Sequence, residues 1–229
     1  MNGTELTVLK VFVGPDGRGG NPLGVFLDGS AIERHRRQAV AHELQFSETV
    51  FVDHRADGRI QILTPARELP FAGHPSVGTS WLLHETGTPI EVLRPPAGDV
   101  PVRRDPDRTW VTADPGWVAH PFRFDQIALA ADVEAFDQPP MGSPGRYVWA
   151  WIDEAAGEIR SRCFPTDFGI LEDEATGLAA VMLGGELRRS LTIRQGVGSE
   201  IVVRPQADVM VEIGGRVELV ERRPFVFAE

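Results

Sequence analysis

Cysteine is nearly absent from this sequence: Cys163 is the single one among 229 residues. One thiol forms no internal disulfide and supplies no cysteine-based zinc site. It also excludes any reaction that needs two thiols in one chain. Because Arg162 and Phe164 flank Cys163 in a strand-like stretch, we predict a buried, structural thiol.

Long apolar runs and basic stretches are also lacking. No run approaches the roughly 20 apolar residues that a membrane helix needs. The opening MNGTELTVLKVFV has no basic flank followed by a long apolar core, so no signal peptide is predicted. The formal net charge is −10, and the one basic cluster, at 34–37, lies in a helical pattern. We therefore predict a cytoplasmic protein with no membrane segment and no nucleic-acid partner.

Motifs for nucleotide cofactors, metals and serine nucleophiles are missing as well. The sequence contains no P-loop, and the loop at 14–20 lacks the G-x-G-x-x-G spacing of dinucleotide sites. The six histidines show no metal-binding spacing, and no G-x-S-x-G elbow occurs. We predict neither a metal nor an organic cofactor.

Short strand-like runs alternate with helical patterns along the chain, which predicts a mixed α and β protein. Helices are predicted at 31–44, from the His74-Pro75 pair to 85, and from Gly177 to about 185. Strands are predicted at 6–13, 24–27, 46–52, 59–64, 90–93, 100–103, 109–113, 147–152, 158–164, 191–195, 201–204, 209–213 and 217–221.

The two halves of the chain echo each other. Each has strands, then a glycine-containing turn that opens a helix of small residues, then strands again. These turns are AGHP at 72–75 and DEATG at 173–177. The Asp-Pro-Gly triplet at 114–116 is the predicted boundary, which gives an N-terminal domain at 1–114 and a C-terminal domain at 115–229. A duplicated unit of this kind often places its site between the copies.

Three polar residues are candidates for proton chemistry. Glu48 starts a strand and shares a face with Val50 and Val52; desolvation there would raise the pKa of its carboxyl and make it a base near neutral pH. His74 lies at a helix start, where unpaired N–H groups favour a carboxylate ligand. Asp173 precedes the second glycine turn. Their structural alternatives are an exposed strand-end glutamate, a packed or capping histidine, and a plain helix cap.

Four segments in the same order and with similar gaps resemble the PhzF-like family of the diaminopimelate-epimerase superfamily. Each is weak alone, but the four in register are specific. They cover most of the first hundred residues and a stretch from about 158 to 205. The segments are GNPLGV at 20–25, FSETVFV at 46–52, TP at 64–65 with ELPFAGHPSVGT at 68–79, and EDEATG at 172–177, followed by a similar RQG at 194–196.

The resemblance implies an α+β fold of the diaminopimelate-epimerase type, with two similar domains that each wrap a mixed sheet around a central helix. It implies a homodimer and a cofactor-independent isomerase or epimerase. Such an enzyme moves a proton between carbons of a small carboxylate-bearing substrate, as in isomerisation of a dihydro-hydroxyanthranilate during phenazine synthesis. By position, the catalytic residues implied are Glu48 as acid/base, His74 and Asp173. The substrate-binding residues implied are Asn21, Ser47, Gly73, Thr176 and Gly177.

Two positions depart from the family signature, which usually reads Asp-Pro-Ala-Thr-Gly-Ser. Glu174 stands in place of the proline, and Leu178 replaces the small polar serine. The stretch 117–145 also looks too short for the family's usual strand and helix. Relatives that racemise amino acids use two cysteines, whose places fall here near Ala72 and Glu174, so the two-thiol reaction is chemically unavailable.

These departures leave two alternatives to the isomerase. The chain is a catalytically silent, ligand-binding or scaffolding homodimer if Leu178 fills the space between Glu48 and Asp173. It is a different enzyme on the same fold if Glu174 acts as an extra carboxylate. In that case Glu48 and Glu174 face each other across an open cleft.

Overall fold

The computed structural model describes residues 3–117 and 122–226 and contains many strands and few helices. The helices within these ranges are α1 (Arg34–Leu44), α2 (Gly73–Glu85), α3 (Ala130–Glu134) and α4 (Gly177–Leu187). The strands are β1 (Gly3–Val13), β2 (Gly19–Phe26), β3 (Glu48–His54), β4 (Arg59–Leu63), β5 (Glu68–Leu69), β6 (Val92–Leu93), β7 (Val100–Arg104), β8 (Thr109–Ala113), β9 (Arg123–Gln126), β10 (Arg146–Asp153), β11 (Glu158–Phe164), β12 (Leu191–Gln195), β13 (Ser199–Pro205) and β14 (Val211–Val226).

The strands join into one mixed sheet. Its order is β5-β4-β3-β2-β1-β14-β13-β12-β11-β10-β9, and β8 branches from β14 and carries β7 and β6. Three neighbouring pairs are parallel: β2 with β3, β9 with β10, and β11 with β12. Each parallel pair is connected through a helix, as a crossover requires.

Helix α2 is enclosed by strands, and α4 has a similar place in the other half. α2 contacts β1, β2, β3, β8 and β14, while α4 contacts β13 and β14. Small residues keep α2 narrow enough for this: a Cβ on Gly78 would approach the Leu23 and Val11 side chains to 2.6 and 2.7 Å. α2 begins at Gly73, slightly earlier than predicted, so Pro75 lies in the first turn. Backbone N–H groups there have no partner within the helix, so the missing N–H of proline costs no hydrogen bond. The prediction of a mixed sheet around central helices is confirmed.

β14 is one strand of 16 residues, although the sequence predicted two separate strands there. Residues 211–214 pair with β13 of the C-terminal half, and residues 216–226 pair with β1 of the N-terminal half. The strand therefore connects the sheet of the N-terminal half with that of the C-terminal half. The domain division at 114/115 stays a prediction.

The predicted break in β14 coincides with Gly214 and Gly215, which serve packing rather than a turn. A Cβ on Gly214 would lie 2.3 Å from ring atoms of Trp110, and one on Gly215 would lie 2.4 Å from Phe12 Cδ1. Two large aromatic side chains thus occupy the space above the glycines. Glycine weakens a strand by propensity but allows this close approach.

The stretch 117–145 contains the four-residue strand β9 and the five-residue helix α3; the expectation that it is shortened relative to the family stays a prediction. β9 pairs with β10 in parallel, and the five-residue α3 contacts β10 and β11. Only Val133 of α3 is buried, so the helix has almost no apolar periodicity to detect. Residues 118–121 lie outside the described residues.

The prediction of a structural thiol is confirmed. Cys163 is fully buried and forms no disulfide. Burial raises the pKa of its thiol well above the usual value. In the described part of the chain, no helix combines the length and apolarity that crossing a membrane would take.

The packing of Gly214 against Trp110 gives a first test. Gly214→Ala should lower the free energy of unfolding by about 1–3 kcal/mol, because the added methyl group overpacks the Trp110 ring. Urea denaturation measures this loss. In a Trp110→Ala background the same change should be much less damaging, since the two sites are in direct contact. Equal losses in both backgrounds would contradict the packing role.

Candidate active site

Glu48 points into the protein from the start of β3. Val50 and Val52, on the same strand face, are buried, and the Glu48 side chain retains 13% exposure. Burial, followed by the charge of Asp173, raises the pKa of the Glu48 carboxyl to about 8, and a hydrogen bond with Ser47 opposes this rise. The exposed strand-end glutamate, considered as an alternative, is therefore wrong.

His74 lies in the first turn of α2 and is almost completely buried. Its Nε2 is 3.4 Å from Glu48 Oε2, and neither atom has a hydrogen-bond partner among the described residues. Burial lowers the pKa of His74 to about 3, against a hydrogen bond with the Pro22 backbone. Proline has no N–H, so this bond uses the Pro22 carbonyl, and Nδ1 is the ring nitrogen that donates to it. The neutral ring therefore turns the Nε2 lone pair toward Glu48.

Asp173 is held from two sides. Asn21 Nδ2 donates to Oδ1 over 2.7 Å, and Thr176 Oγ1 donates to Oδ2 over 2.6 Å. Burial raises the pKa of Asp173 to about 6, and these two hydrogen bonds limit the rise. The plain helix-cap alternative is wrong, because Thr176 is the N-cap residue of α4 and no side chain caps that helix.

Glu48, His74 and Asp173 line one cavity, to which both halves of the chain contribute. Its empty volume, counted to the mouth, is about 550 Å³, of which about 50 Å³ admits the centre of a water molecule. The cavity is therefore narrow. Within the described residues, no three His, Cys, Asp or Glu side chains converge as metal ligands would. Its other walls are mainly apolar and include Leu69, Phe71, Phe122, Phe168, Ile170 and Leu178.

Two helix starts meet at this cavity. A Cβ on Gly73 would lie 2.7 Å from Gly177 Cα, and a Cβ on Gly177 would lie 2.8 Å from Gly73 Cα. Only glycine at both positions allows this approach of α2 and α4. Neither helix has a side-chain cap, and both glycines line the cavity. The first N–H groups of two helices are thus available to an anion.

Asn21 and Ser47 lie behind the cavity rather than in its wall. Asn21 is buried, and its Nδ2 also donates to the Ala175 carbonyl over 2.9 Å. Ser47 Oγ donates to Asn21 Oδ1 over 3.3 Å. Both residues line a neighbouring groove that Asp173 shares, whereas Thr176 lines the cavity itself. Asn21 and Ser47 therefore contact the candidate catalytic residues instead of the open space.

The two departures from the family signature have different surroundings. The Glu174 carboxylate accepts hydrogen bonds from the Val197 N–H at 3.0 Å and from Ser199 Oγ at 2.7 Å, and Glu174 is not in the cavity wall. The alternative in which Glu174 faces Glu48 across the cleft is therefore wrong. Leu178 is in the wall of the cavity that Glu48 and Asp173 also line.

Gln195 is a buried polar residue that the sequence reasoning placed only in a family-like strand. Its Nε2 donates to the Asp173 carbonyl and to Thr176 Oγ1, each over 2.9 Å. A sequence signal existed, because Gln195 alternates with Leu191 and Ile193 on the buried face of β12. A polar residue in such a position needs an explanation. The aromatic walls of the cavity were also missed, because the pattern around Phe122 and Phe168 is weak.

The raised pKa of Glu48 predicts a stabilised variant. Between the unfolded pKa near 4.5 and the folded value of about 8, the folded protein holds more protons than the unfolded chain, so stability falls as pH rises through this window. Glu48→Gln removes that loss. We expect its free energy of unfolding to exceed that of the wild type by on the order of 2–4 kcal/mol at pH 8 and by much less at about pH 5.

Calorimetric melting at several pH values measures this difference. Glu43→Gln is the matched control, because Glu43 is exposed on α1, and it should melt like the wild type throughout. A Glu48→Gln melting temperature that stays at or below the wild-type value at pH 8 would contradict the buried, protonated carboxyl.

Sequence comparison relates the chain to known proteins. The family model described as "Phenazine biosynthesis-like protein" matches residues 11–115. The trans-2,3-dihydro-3-hydroxyanthranilate isomerase of Pseudomonas aeruginosa is 31% identical in an alignment 222 residues long. The match covers 80% of this chain and 80% of that protein.

Solved structures share the whole fold. A PhzF-family protein from Bacillus anthracis has a TM-score of 0.77 at 17% identity, covering 99% of this chain and 100% of its own. A hydroxyproline epimerase from Agrobacterium vitis, solved with bound trans-4-hydroxy-L-proline, has a TM-score of 0.62 at 14% identity, covering 97% and 92%. The predicted diaminopimelate-epimerase-like α+β fold is confirmed. With its sequence match to an isomerase over most of both chains, this protein belongs to the PhzF-like family of isomerases and epimerases.

Proposed function

We propose that this protein is a cofactor-independent isomerase that moves a proton between two carbons of a small carboxylate-bearing substrate. One observation carries the proposal. Glu48 Oε2 and His74 Nε2 lie 3.4 Å apart and unpartnered in a narrow, mostly apolar cavity that Asp173 also lines. A buried polar atom without a hydrogen-bond partner lowers the stability of the folded protein. A ligand that supplies those partners is the simplest reason for the chain to keep them.

The uncapped starts of α2 and α4 are the proposed site for the substrate carboxylate. Their N–H groups and helix dipoles favour a negative charge. The apolar walls suit a small ring or hydrocarbon body. The name of the Pseudomonas aeruginosa relative gives a cyclic amino- and hydroxy-substituted carboxylate as its substrate, and we propose this class for the present cavity.

The proposed reaction begins with Glu48 in its ionised form. Its carboxylate takes a proton from a carbon next to an activating group, and the helix-start N–H groups stabilise the charge that develops. The protonated Glu48 then returns the proton to a second carbon. His74 and Asp173 hold the substrate and assist this return. The substrate is neither oxidised nor reduced, and the enzyme ends in its starting protonation state.

We also propose that the two halves act as the predicted domains and that the protein is a homodimer in the cytoplasm. The resemblance to the family is the source of these proposals. Residues 218–224 of β14 are exposed and pair with β1 along one edge, while β8 and β13 pair only with residues 211–215; the other edge of 218–224 supports the dimer, because such strand edges favour pairing with another chain.

Deuterium exchange tests the role of Glu48. Wild-type protein is incubated in heavy water with trans-2,3-dihydro-3-hydroxyanthranilate and with a panel of small cyclic carboxylic acids, and NMR follows deuterium incorporation. Glu48→Gln should slow the exchange by about a hundredfold or more, since general acid–base catalysis supplies that much. The exposed Glu43→Gln should exchange at the wild-type rate.

Two outcomes of this experiment would count against the proposal. Unchanged exchange in Glu48→Gln would remove Glu48 from the mechanism. A wild-type protein that binds panel members in a thermal-shift assay but exchanges none of them would favour the silent ligand-binding homodimer.

The pH profile provides a separate prediction. Because the base form of Glu48 is the ionised one, the exchange rate at substrate concentrations well below saturation, which reports the unliganded enzyme, should rise with pH and level off above about 8. Below that value it should fall about tenfold per pH unit. Initial rates in buffers between about pH 6 and 9 measure the profile. A rate that falls as pH rises across this range would contradict a carboxylate base with a raised pKa.

A further inference from the structure

The amide of Gln195 has a fixed orientation. Gln195 is fully buried, and its Nε2 lies 2.9 Å from the Asp173 backbone carbonyl. A carbonyl oxygen only accepts hydrogen bonds, so the NH₂ group must face it. The same nitrogen lies 2.9 Å from Thr176 Oγ1. The second N–H of the amide is therefore directed at the Thr176 hydroxyl.

The hydrogen bond from Gln195 to Thr176 Oγ1 fixes the direction in which the Thr176 hydroxyl donates its single proton. The oxygen accepts from Gln195, so its O–H is free to donate to Asp173 Oδ2, 2.6 Å away. The carboxylate oxygen is the acceptor in that pair. The Cys163 thiol also interacts with this hydroxyl and, with its raised pKa, keeps its proton. Without Gln195, the hydroxyl could turn to the vacated Asp173 backbone carbonyl instead.

The opposite oxygen of Asp173 is fixed by a second amide. Asn21 Nδ2 donates to Oδ1 and to the Ala175 carbonyl, which uses both of its hydrogens. These two donated hydrogen bonds hold that amide in place, and Ser47 Oγ lies 3.3 Å from Asn21 Oδ1. Both carboxylate oxygens of Asp173 thus accept a hydrogen bond, an arrangement that favours the ionised form.

We propose that Gln195 is a positioning residue for the proposed isomerase, whose amide orients the Thr176 hydroxyl so that Asp173 stays an ionised carboxylate beside Glu48. The inference rests on the proposed function only for its catalytic meaning, because the ionisation of Asp173 is measurable without turnover. Gln195 acts through Thr176, since it does not itself line the cavity.

A purely structural role does not account for a glutamine at this position. Its Oε1 is buried without a hydrogen-bond partner among the described residues, and a buried unpaired carbonyl is destabilising. Leu191 and Ile193 occupy the equivalent face of β12 with apolar side chains. The glutamine therefore contributes something other than packing.

Several ionisable groups surround Asp173, and each affects its charge. Glu48 faces it from β3, Cys163 from β11 and Tyr147 from β10. His74 on α2 lines the same cavity, and Glu172 and Glu174 flank Asp173 in sequence. Carboxylates dominate this set and oppose ionisation of Asp173, and His74 is neutral. The hydrogen bonds from Thr176 and Asn21 are the groups that favour ionisation. Loss of one of them should move the titration of Asp173 upward.

The test is a titration of Asp173 in full-length protein labelled with ¹³C at aspartate carboxyls, in which Asp173→Asn identifies the resonance. We expect Gln195→Met to raise the midpoint by about one pH unit. Gln206→Met, which changes an exposed glutamine, should leave the midpoint unchanged. If Gln195→Met does not fold, Thr176→Val removes the hydroxyl directly and should raise the midpoint in the same direction.

Exchange kinetics give the second measurement. The charge of Asp173 raises the pKa of Glu48, so a less ionised Asp173 should move the acid limb of the exchange profile to lower pH in Gln195→Met than in the wild type. A wild-type protein without exchange activity would end the proposed function, while the NMR titration would still decide on Gln195. An Asp173 midpoint that is the same in the wild type, Gln195→Met and Thr176→Val would overturn the inference.

Discussion

The contact between Gly73 and Gly177 is the constraint on which the site depends. Backbone atoms of the two helix starts approach so closely that a methyl group on either glycine would overlap the other. This contact brings His74, on α2, and Asp173, just before α4, to the same cavity as Glu48. It also directs two sets of unpaired N–H groups at one place. A single steric requirement thus assembles an anion site and three proton-transfer candidates.

Desolvation and hydrogen bonding then separate the three candidates chemically. Burial raises the pKa values of Glu48 and Asp173 and lowers that of His74. Asp173 has hydrogen-bond donors on both oxygens, while Glu48 Oε2 has none among the described residues. Asp173 therefore ionises first, and its charge helps to keep the proton on Glu48. Two carboxyl groups in one cavity acquire different protonation states in this way, as acid–base catalysis needs.

The sequence predicted the residues of the site better than the hydrogen bonds that join them. Glu48, His74 and Asp173 were found because each lies in a local motif next to a strand start or glycine turn. The ionisation of Asp173 was beyond local reasoning, because Asn21 reaches Asp173 across 152 positions of the chain. The same limit explains β14: Gly214 resembles a break until Trp110, distant in sequence, is known to cover it. α3 went undetected because it buries a single side chain.

Glu174 illustrates how a departure from a family signature can support a site instead of disrupting it. Its carboxylate accepts from the Val197 N–H and from Ser199 Oγ, and Ser199 Oγ in turn accepts from the Gly20 N–H over 2.8 Å. Gly20 directly precedes Asn21, and the turn that starts at Gly196 follows Gln195. The two segments that carry the amides next to Asp173 are therefore fastened to the residue that follows it. A proline at position 174 could not make these bonds, so the substitution replaces backbone rigidity with a hydrogen-bonded link.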